Sequence, residues 1–279
     1  MASNNSSVLA FYDTHPISET QILEKLAADG VDLATLTEDI LQDYDQDHFG
    51  GVQANDALAR AGGVNSDSLV LDVCCGLGGP ARYFGQKFGC RVEGVDMTAS
   101  RVEGAKRLTE LAGLSDRVSF TCGNALDLPF ADNRFDVLIS QEAFCHIPDK
   151  PTLVAECVRS VRPGGRIAFT DILATGETTP ETRQRLTAEM TFNELATAAE
   201  YRDLFTAQNC EVLGVDDLGS EWRDILIDRL AMYRSLGDQT VRRFGQAHFD
   251  KWDRAYSFFV GCYGTGELSG GRFSVQRLT

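Results

Sequence analysis

The stretch "VLDVCCGLGG", residues 70–79, decides how this chain is read. Val70, Leu71 and Val73 form an apolar run with one carboxylate, Asp72, inside it. Cys74 and Cys75 follow, then Gly76, Gly78 and Gly79. Glycine lets a backbone turn tightly and pass close to a ligand with no Cβ in the way. Three readings compete: a loop that cradles a nucleotide, a redox or metal pair of thiols, and a plain turn. The flanking sequence decides between them.

From residue 68 onward, short apolar runs alternate with longer amphipathic ones. "SLVLDVC" (68–74), "RVEGVDM" (91–97), "RVSFTCG" (117–123), "RFDVLISQ" (134–141) and "RIAFTDIL" (166–173) read as strands. "PARYFGQKFG" (80–89), "ASRVEGAKRLTELAG" (99–113) and "PTLVAECVRSVRPGG" (151–165) read as helices. The nearly continuous apolar run at 134–141 is that of a strand buried on both faces. Such alternation predicts right-handed crossovers and a doubly wound, mostly parallel α/β sheet. Residues 179–210 read as helical throughout, 211–219 as a sixth strand and 271–278 as a seventh. Ligands of such sheets bind outside the carboxyl ends of the strands. The glycine loop falls at such an end, between a strand and a helix. Adjacent cysteines with no second pair are poor metal spacing, and no metal site is expected.

Composition narrows the classes further. A chain of 279 residues can bury a sizeable core. Its 43% hydrophobic and 24% charged content is that of a soluble globular protein. A net charge of −15 argues against nucleic acid and anionic membranes as partners. No run approaches the ~20 apolar residues of a membrane span. The opening "MASNNSSVLAFYDTHPISE" lacks the basic-then-apolar order of a signal peptide. The eight cysteines include no C-x-x-C pair, which suits reduced, buried thiols and a cytoplasmic location.

"VLDVCCGLGG", "GVDMTASRVEGAK" (94–106), "GNALDLPFADNRFDVLISQEAFCHIPDK" (123–150) and "VRPGGRIAFTDIL" (161–173) together resemble the class I S-adenosylmethionine-dependent methyltransferases. The resemblance implies a Rossmann-like, seven-stranded sheet with an antiparallel last strand, plus a helical cap and lid. It implies S-adenosylmethionine as cofactor. "SQEAFCHIPDK" (140–150), "AAEYRDLFTAQNCEV" (198–212) and "GTGELSGGRFSVQRL" (264–278) look like the sarcosine/dimethylglycine N-methyltransferases. The organisation expected is a helical cap over 1–68, the cofactor-binding core over 69–219, a helical acceptor lid over 220–270 and the last core strand over 271–279.

The family loop has the form D-x-G-x-G-x-G. Here Cys74 takes the first glycine position, and Gly76 and Gly78 match the others. The resemblance assigns Asp72 to ordering that loop or the cofactor's ammonium. Asp96 ends the second strand, where an acid can accept ribose hydroxyls; Met97 follows it. Asn124 would present its amide oxygen to the adenine amino group, with Ala125 beside it. Gln141 lies where cofactor and acceptor meet, and His146 at the mouth of the cleft would be catalytic or orienting. Tyr12 and His48 of the cap and Tyr201 would contact the acceptor.

The expected activity is methyl transfer to a small metabolite, as N-methylation of a glycine-derived amine. The alternatives are S-, O- or C-methylation of another metabolite and non-catalytic binding of the cofactor. A nicotinamide oxidoreductase would need G-x-G-x-x-G spacing and a Tyr-x-x-x-Lys pair after the fourth strand; neither is present. The partner expected is the methyl acceptor, with a homodimer allowed by the architecture. The sulfonium methyl is already electrophilic, so alignment and water exclusion are the main demands on the protein. The lid segment 220–263 reads as two amphipathic helices rich in aromatic residues, some of them placed to line an acceptor pocket.

Overall fold

A computed structural model describes residues 18–279. Seven strands form one sheet in the order β3-β2-β1-β4-β5-β7-β6. They are β1 (Leu69–Val73), β2 (Arg91–Asp96), β3 (Val118–Cys122), β4 (Phe135–Gln141), β5 (Val161–Ala174), β6 (Cys210–Asp217) and β7 (Leu268–Arg277). β1 to β5 pair in parallel, and β7 runs antiparallel to both β5 and β6. This is the doubly wound, mostly parallel sheet that the alternation predicts. The chain winds outward through β1, β2 and β3, then returns to lay β4 on the other side of β1. The direction of winding reverses between β1 and β4, so their carboxyl ends open a crevice there.

Side chains alternate across the sheet, as the pleat requires. Val70, Val137 and Ile139 point to a face covered by α3 (Gly51–Gly62), α4 (Gly79–Phe88) and α5 (Ala99–Leu111). Leu71, Val73 and Leu138 point to the other face, under α6 (Lys150–Ser160) and α8 (Ala198–Ala207). On that face Phe169 of β5 and its register partner Phe273 of β7 stack at 4.5 Å. Each such buried side chain stabilises the fold by about 1.5–3 kcal/mol.

Three local readings are corrected by the structure. The helix expected over 151–165 stops at Ser160, because Pro163 disfavours helix at Arg162 and the chain becomes β5 instead. The helical stretch expected over 179–210 is two helices, α7 (Pro180–Met190) and α8, joined by an extended segment. Thr191 leaves α7 at φ 57°, and α8 starts with a capping box in which Thr197 and Glu200 exchange hydrogen bonds. The lid region holds three helices, α9 (Gly219–Ser235), α10 (Gly237–Phe244) and α11 (Gln246–Gly264). The break before α11 falls at Gly245, with φ 88°. Ahead of the sheet, α1 (Glu19–Ala28) starts at an N-cap by Ser18, whose side chain accepts from the N–H of Gln21, and α2 (Glu38–Asp45) leads toward α3.

The glycine loop between β1 and α4 turns through three left-handed residues, Cys74 (φ 62°), Gly76 (φ 54°) and Gly78 (φ 79°). Cys74 therefore holds a conformation natural to glycine, and its Cβ adds roughly 1–2 kcal/mol of strain. At Gly78 a Cβ would also lie 2.4 Å from the Phe120 ring. Chemical denaturation should show Gly78→Ala destabilised by about 2–4 kcal/mol, from strain plus overpacking. Cys74→Gly should stay within about 1 kcal/mol of the parent, as relieved strain offsets the extra freedom of glycine in the unfolded chain. A large loss for Cys74→Gly would show that the thiol itself supports the loop.

Candidate active site

The crevice at the ends of β1 and β4 is a cavity of about 740 Å³. Its floor is made by the loops after β1, β2, β3 and β4. The segment 45–49 of the cap closes one side, and α9, α10 and α11 close the other. Cap and loop are joined by Arg82 of α4, which is fully buried. Its guanidinium donates to the carbonyl of Leu77 in the glycine loop at 2.8 Å and to Thr109 Oγ1 of α5 at 3.1 Å. It also pairs with Glu38 at 3.1 Å and with Asp45, both of α2.

One end of the cavity carries the residues expected to hold a nucleoside. Asp72, within β1, is buried, and its Oδ2 has no hydrogen-bond partner. Burial, with the Asp96 carboxylate nearby, pushes its carboxyl up to about 8. Asp96 accepts the Gly76 N–H at 3.0 Å on one oxygen and the Thr98 N–H at 2.8 Å on the other. Each oxygen keeps a second lone pair for a ligand hydroxyl. Met97, Cys74, Gly76 and Ala125 also line this end. Burial raises the Cys74 and Cys75 thiols well above their ordinary range, which suits packing groups rather than nucleophiles. Asn124 lies on the wall, but its Oδ1 accepts the Leu126 N–H at 3.0 Å. One lone pair and the amide N–H₂ remain to meet an adenine edge.

Where the two ends meet, Gln141 closes β4. Both polar atoms of its amide are buried without a partner. His146 stands on the short 3₁₀ turn Phe144–His146. Its Nδ1 lies 3.1 Å from the Thr191 carbonyl and 3.1 Å from Thr191 Oγ1, whose own hydrogen goes to the Met190 carbonyl. Both neighbours act as acceptors, so Nδ1 carries a proton. His48 reaches the wall from the cap, with ring contacts to Gln46 Oε1 at 2.8 Å and the Phe49 carbonyl at 3.3 Å. Burial lowers it to about 4, so it is neutral at physiological pH.

Two expected contacts are not on the cavity wall. Tyr201 is fully buried in the core under α8, where its hydroxyl donates to Asp171 at 2.7 Å. Its position in the sequence suggested the acceptor side, but the ring packs against Phe169 and Phe273. Gly78 also lies off the wall; the turn and the Phe120 contact are what require glycine there. Tyr12 falls outside the described residues.

The structure adds groups that sequence reading missed. Glu142 sits on the wall with φ 46°, its carboxylate held by the Phe49 N–H at 2.8 Å and the Thr170 hydroxyl at 2.7 Å. Burial pushes it up to about 7. Arg229 of α9 donates to the carbonyls of Asp47 (3.0 Å) and His48 (2.6 Å), and its guanidinium lies 4.9 Å from the Phe49 ring centre. These contacts tie lid to cap across some 180 residues of sequence, a distance no local pattern spans. Glu142 does sit in the quoted "SQEAFCHIPDK" beside Gln141, and its place one residue past a buried strand was the signal available.

S-adenosylmethionine fits these donors. A cationic ammonium would satisfy the orphaned Asp72 oxygen, and the unpartnered Gln141 amide can both donate and accept. Gly76 keeps side-chain atoms out of the space beside Asp96: a Cβ added there would meet nothing closer than an Arg101 nitrogen at 3.9 Å. Among the described residues, no three His, Cys, Asp or Glu side chains converge as a metal site.

Comparison with known proteins bears on the domain and the fold. Residues 71–169 match the family model of a methyltransferase domain. Methyltransferase GfsG of Streptomyces halstedii is 40% identical over 113 residues, which are 40% of this chain and 41% of that protein. The matches to the first curated relatives span 27% to 41% of those relatives' length. Among solved structures, a putative sarcosine dimethylglycine methyltransferase from Galdieria sulphuraria superposes with a TM-score of 0.77 at 18% identity, over 93% of this chain and 98% of that one. Phosphoethanolamine N-methyltransferase 2 of Haemonchus contortus, in complex with S-adenosyl-L-methionine, superposes with a TM-score of 0.73 at 20% identity, over 97% and 60%. At these identities the likeness is one of fold.

Asp72 makes stability depend on pH in a defined direction. Its folded value of about 8 exceeds the ordinary 3.8, so the folded chain keeps a proton that the unfolded chain gives up. That contribution is complete below the ordinary carboxylate range and is lost as pH rises through about 8. Thermal melts of the ligand-free protein between about pH 4 and about pH 9 should show Asp72→Asn losing less melting temperature than the parent from about pH 4 up to about pH 8, with the two curves parallel above that. Parallel declines over the lower range as well would mean that Asp72 ionises without strain in the fold.

Proposed function

From the methyltransferase domain at residues 71–169 we infer that this chain is an S-adenosylmethionine-dependent methyltransferase acting on a small molecule. One observation carries the reading. The unpartnered Asp72 oxygen and the unpartnered Gln141 amide face one cavity at the crevice between β1 and β4. A buried polar atom without a partner costs roughly 1–3 kcal/mol, a cost that a bound ligand removes.

When bound, S-adenosylmethionine supplies an electrophilic sulfonium methyl. The chain's own residues have positioning tasks. Asp72 takes the ligand ammonium. Asp96 accepts ribose hydroxyls while its bonds to Gly76 and Thr98 fix its direction. Asn124 meets the adenine edge. Gln141 orients the reacting centre, and His146 receives a proton at Nε2 where the acceptor has one to lose. The lid and cap, clamped by Arg229, exclude water.

Likeness to the sarcosine/dimethylglycine enzymes supports N-methylation of a glycine-derived amine. The wall gives that acceptor less support. Both arginines on the wall, the cations that would pair with a carboxylate, have partners in the cap: Arg229 at the carbonyls of Asp47 and His48, Arg101 at the Asp47 carboxylate, 3.8 Å away. Mass spectrometry of products from an acceptor panel that includes glycine, sarcosine and dimethylglycine identifies the acceptor. Release of S-adenosylhomocysteine with any of them establishes the methyltransferase reaction.

His146→Ala should lower turnover by about 10²-fold for an acceptor that must lose a proton. Cofactor affinity in the same preparation should change by no more than about twofold, because the ring stands on the acceptor side. Equal losses in both, or no loss in either, would make His146 a structural residue of the 3₁₀ turn.

A further inference from the structure

The acceptor half of the cavity has a chemistry of its own. Rings follow one another along it without a gap. Tyr233 lies 4.7 Å from Trp252, Trp252 4.6 Å from Tyr256, and Tyr256 5.8 Å from Phe259. Phe259 lies 5.3 Å from Phe192, and Phe192 5.2 Å from the His146 ring. The series starts on the lid and ends at the residue placed for proton transfer. All six rings line the cavity. At the outer end Met232, Leu236 and Phe244 also line it and stand 57%, 41% and 44% exposed, so the mouth is apolar too.

Polar groups along this track are few and mostly taken. Glu142 is held by Phe49 and Thr170, and His48 by Gln46 and Phe49. The Tyr233 hydroxyl, by contrast, is buried among the rings with no partner. The two arginines on the wall, Arg101 and Arg229, already have partners in the cap. At about 740 Å³ the space lies within the range of about 300 to about 1,000 Å³ spanned by pockets for drug-sized ligands. A glycine-derived amine would leave most of the ring surface uncovered.

We propose that the methyl acceptor is a flat, apolar, ring-bearing molecule without a carboxylate, stacked along the Tyr233–Trp252–Tyr256–Phe259–Phe192 track. This rests on the methyltransferase reading, because the track matters as an acceptor site only if its inner end faces the methyl donor. Offset and edge-on contacts between rings favour planar aromatic ligands over aliphatic ones of equal size. The Tyr233 hydroxyl meets a polar substituent at the outer end of the ligand, and the group to be methylated lies at the His146 end.

The test titrates the full chain, loaded with S-adenosylhomocysteine, with 1-naphthol and separately with sarcosine, following tryptophan fluorescence and melting temperature. The expected result is saturable 1-naphthol binding and no response to millimolar sarcosine. Trp252→Ala should weaken 1-naphthol by about tenfold, with S-adenosylhomocysteine titrated on the same preparation as the check that the variant is folded. Tyr233→Phe, which removes one oxygen, should weaken it several-fold even if Trp252→Ala does not fold. Sarcosine binding without 1-naphthol binding, or 1-naphthol binding unchanged in both variants, overturns the proposal. Failure of S-adenosylhomocysteine to bind sinks the cofactor reading alone, and 1-naphthol titration of the ligand-free chain then still decides the nature of the track.

Discussion

Arg82 is the contact on which the site's geometry depends. Its guanidinium is wholly buried and carries five N–H donors and no acceptor, so it must be surrounded by acceptors. It finds them in three separate elements: the Leu77 carbonyl of the glycine loop, the Thr109 hydroxyl of α5, and the carboxyl groups of Glu38 and Asp45 in α2. Burial outweighs the attraction of Arg82 at Glu38, whose carboxyl is pushed up to about 8. Removing one partner of such a buried pair typically costs about 3–5 kcal/mol, because the other charge is left alone. Glycine loop, cap and first crossover helices are thus held together by one side chain. The close approach is visible at Gly79, where a Cβ would lie 2.7 Å from the Asp45 carbonyl. Leu77 completes the joint by packing with Leu26, Leu41 and Leu108 in the cap's own apolar cluster.

With the loop fixed, the cavity can hold groups that the fold alone would not favour. Asp72 and Glu142 are carboxyls buried where their charged forms are disfavoured, and Gln141 has two polar atoms without partners. Their cost falls on the crevice between β1 and β4, the place where a doubly wound sheet has room for a ligand. Local disagreement between sequence and stability of this kind is expected at functional sites. Asp72 and Gln141 are also residues that the methyltransferase resemblance assigns to the site, whereas Glu142 is not.

The sheet was legible because its signal is local. An apolar run such as Phe135–Ser140 can be satisfied only by burial on both faces, and the alternation with helices leaves few topologies. Boundaries were less legible where one residue type overrides a periodic pattern, as Pro163 does after α6 and Thr197 with Glu200 does at the start of α8. In the candidate site, Asp72, Asp96 and Gln141 could be located because each lies at or beside a strand end, and His146 because it follows β4 in the loop at that end of the sheet. Tyr201 could not be placed, since a helical tyrosine facing the core and one facing a ligand share the same spacing. Arg82, Glu142 and Arg229 were invisible for a different reason: their partners are distant in sequence, and a buried arginine looks like a solvated one until the fold is known. Cys74 shows the reverse. The resemblance marked it as an intruder in a glycine position, and its left-handed backbone gives that position its physical meaning.

Calorimetric titration of S-adenosylmethionine into the parent chain and into Asp96→Ala tests the identity of the cavity most directly. Saturable binding at one site per chain is expected for the parent. Loss of the ribose bonds in Asp96→Ala should weaken binding by about 2–4 kcal/mol, with the ligand-free variant still unfolding cooperatively, at a melting temperature lowered by the lost bonds to the Gly76 and Thr98 N–H groups. Absence of binding to the parent, or equal affinity of the two proteins, would contradict the assignment of this crevice to the methyl donor.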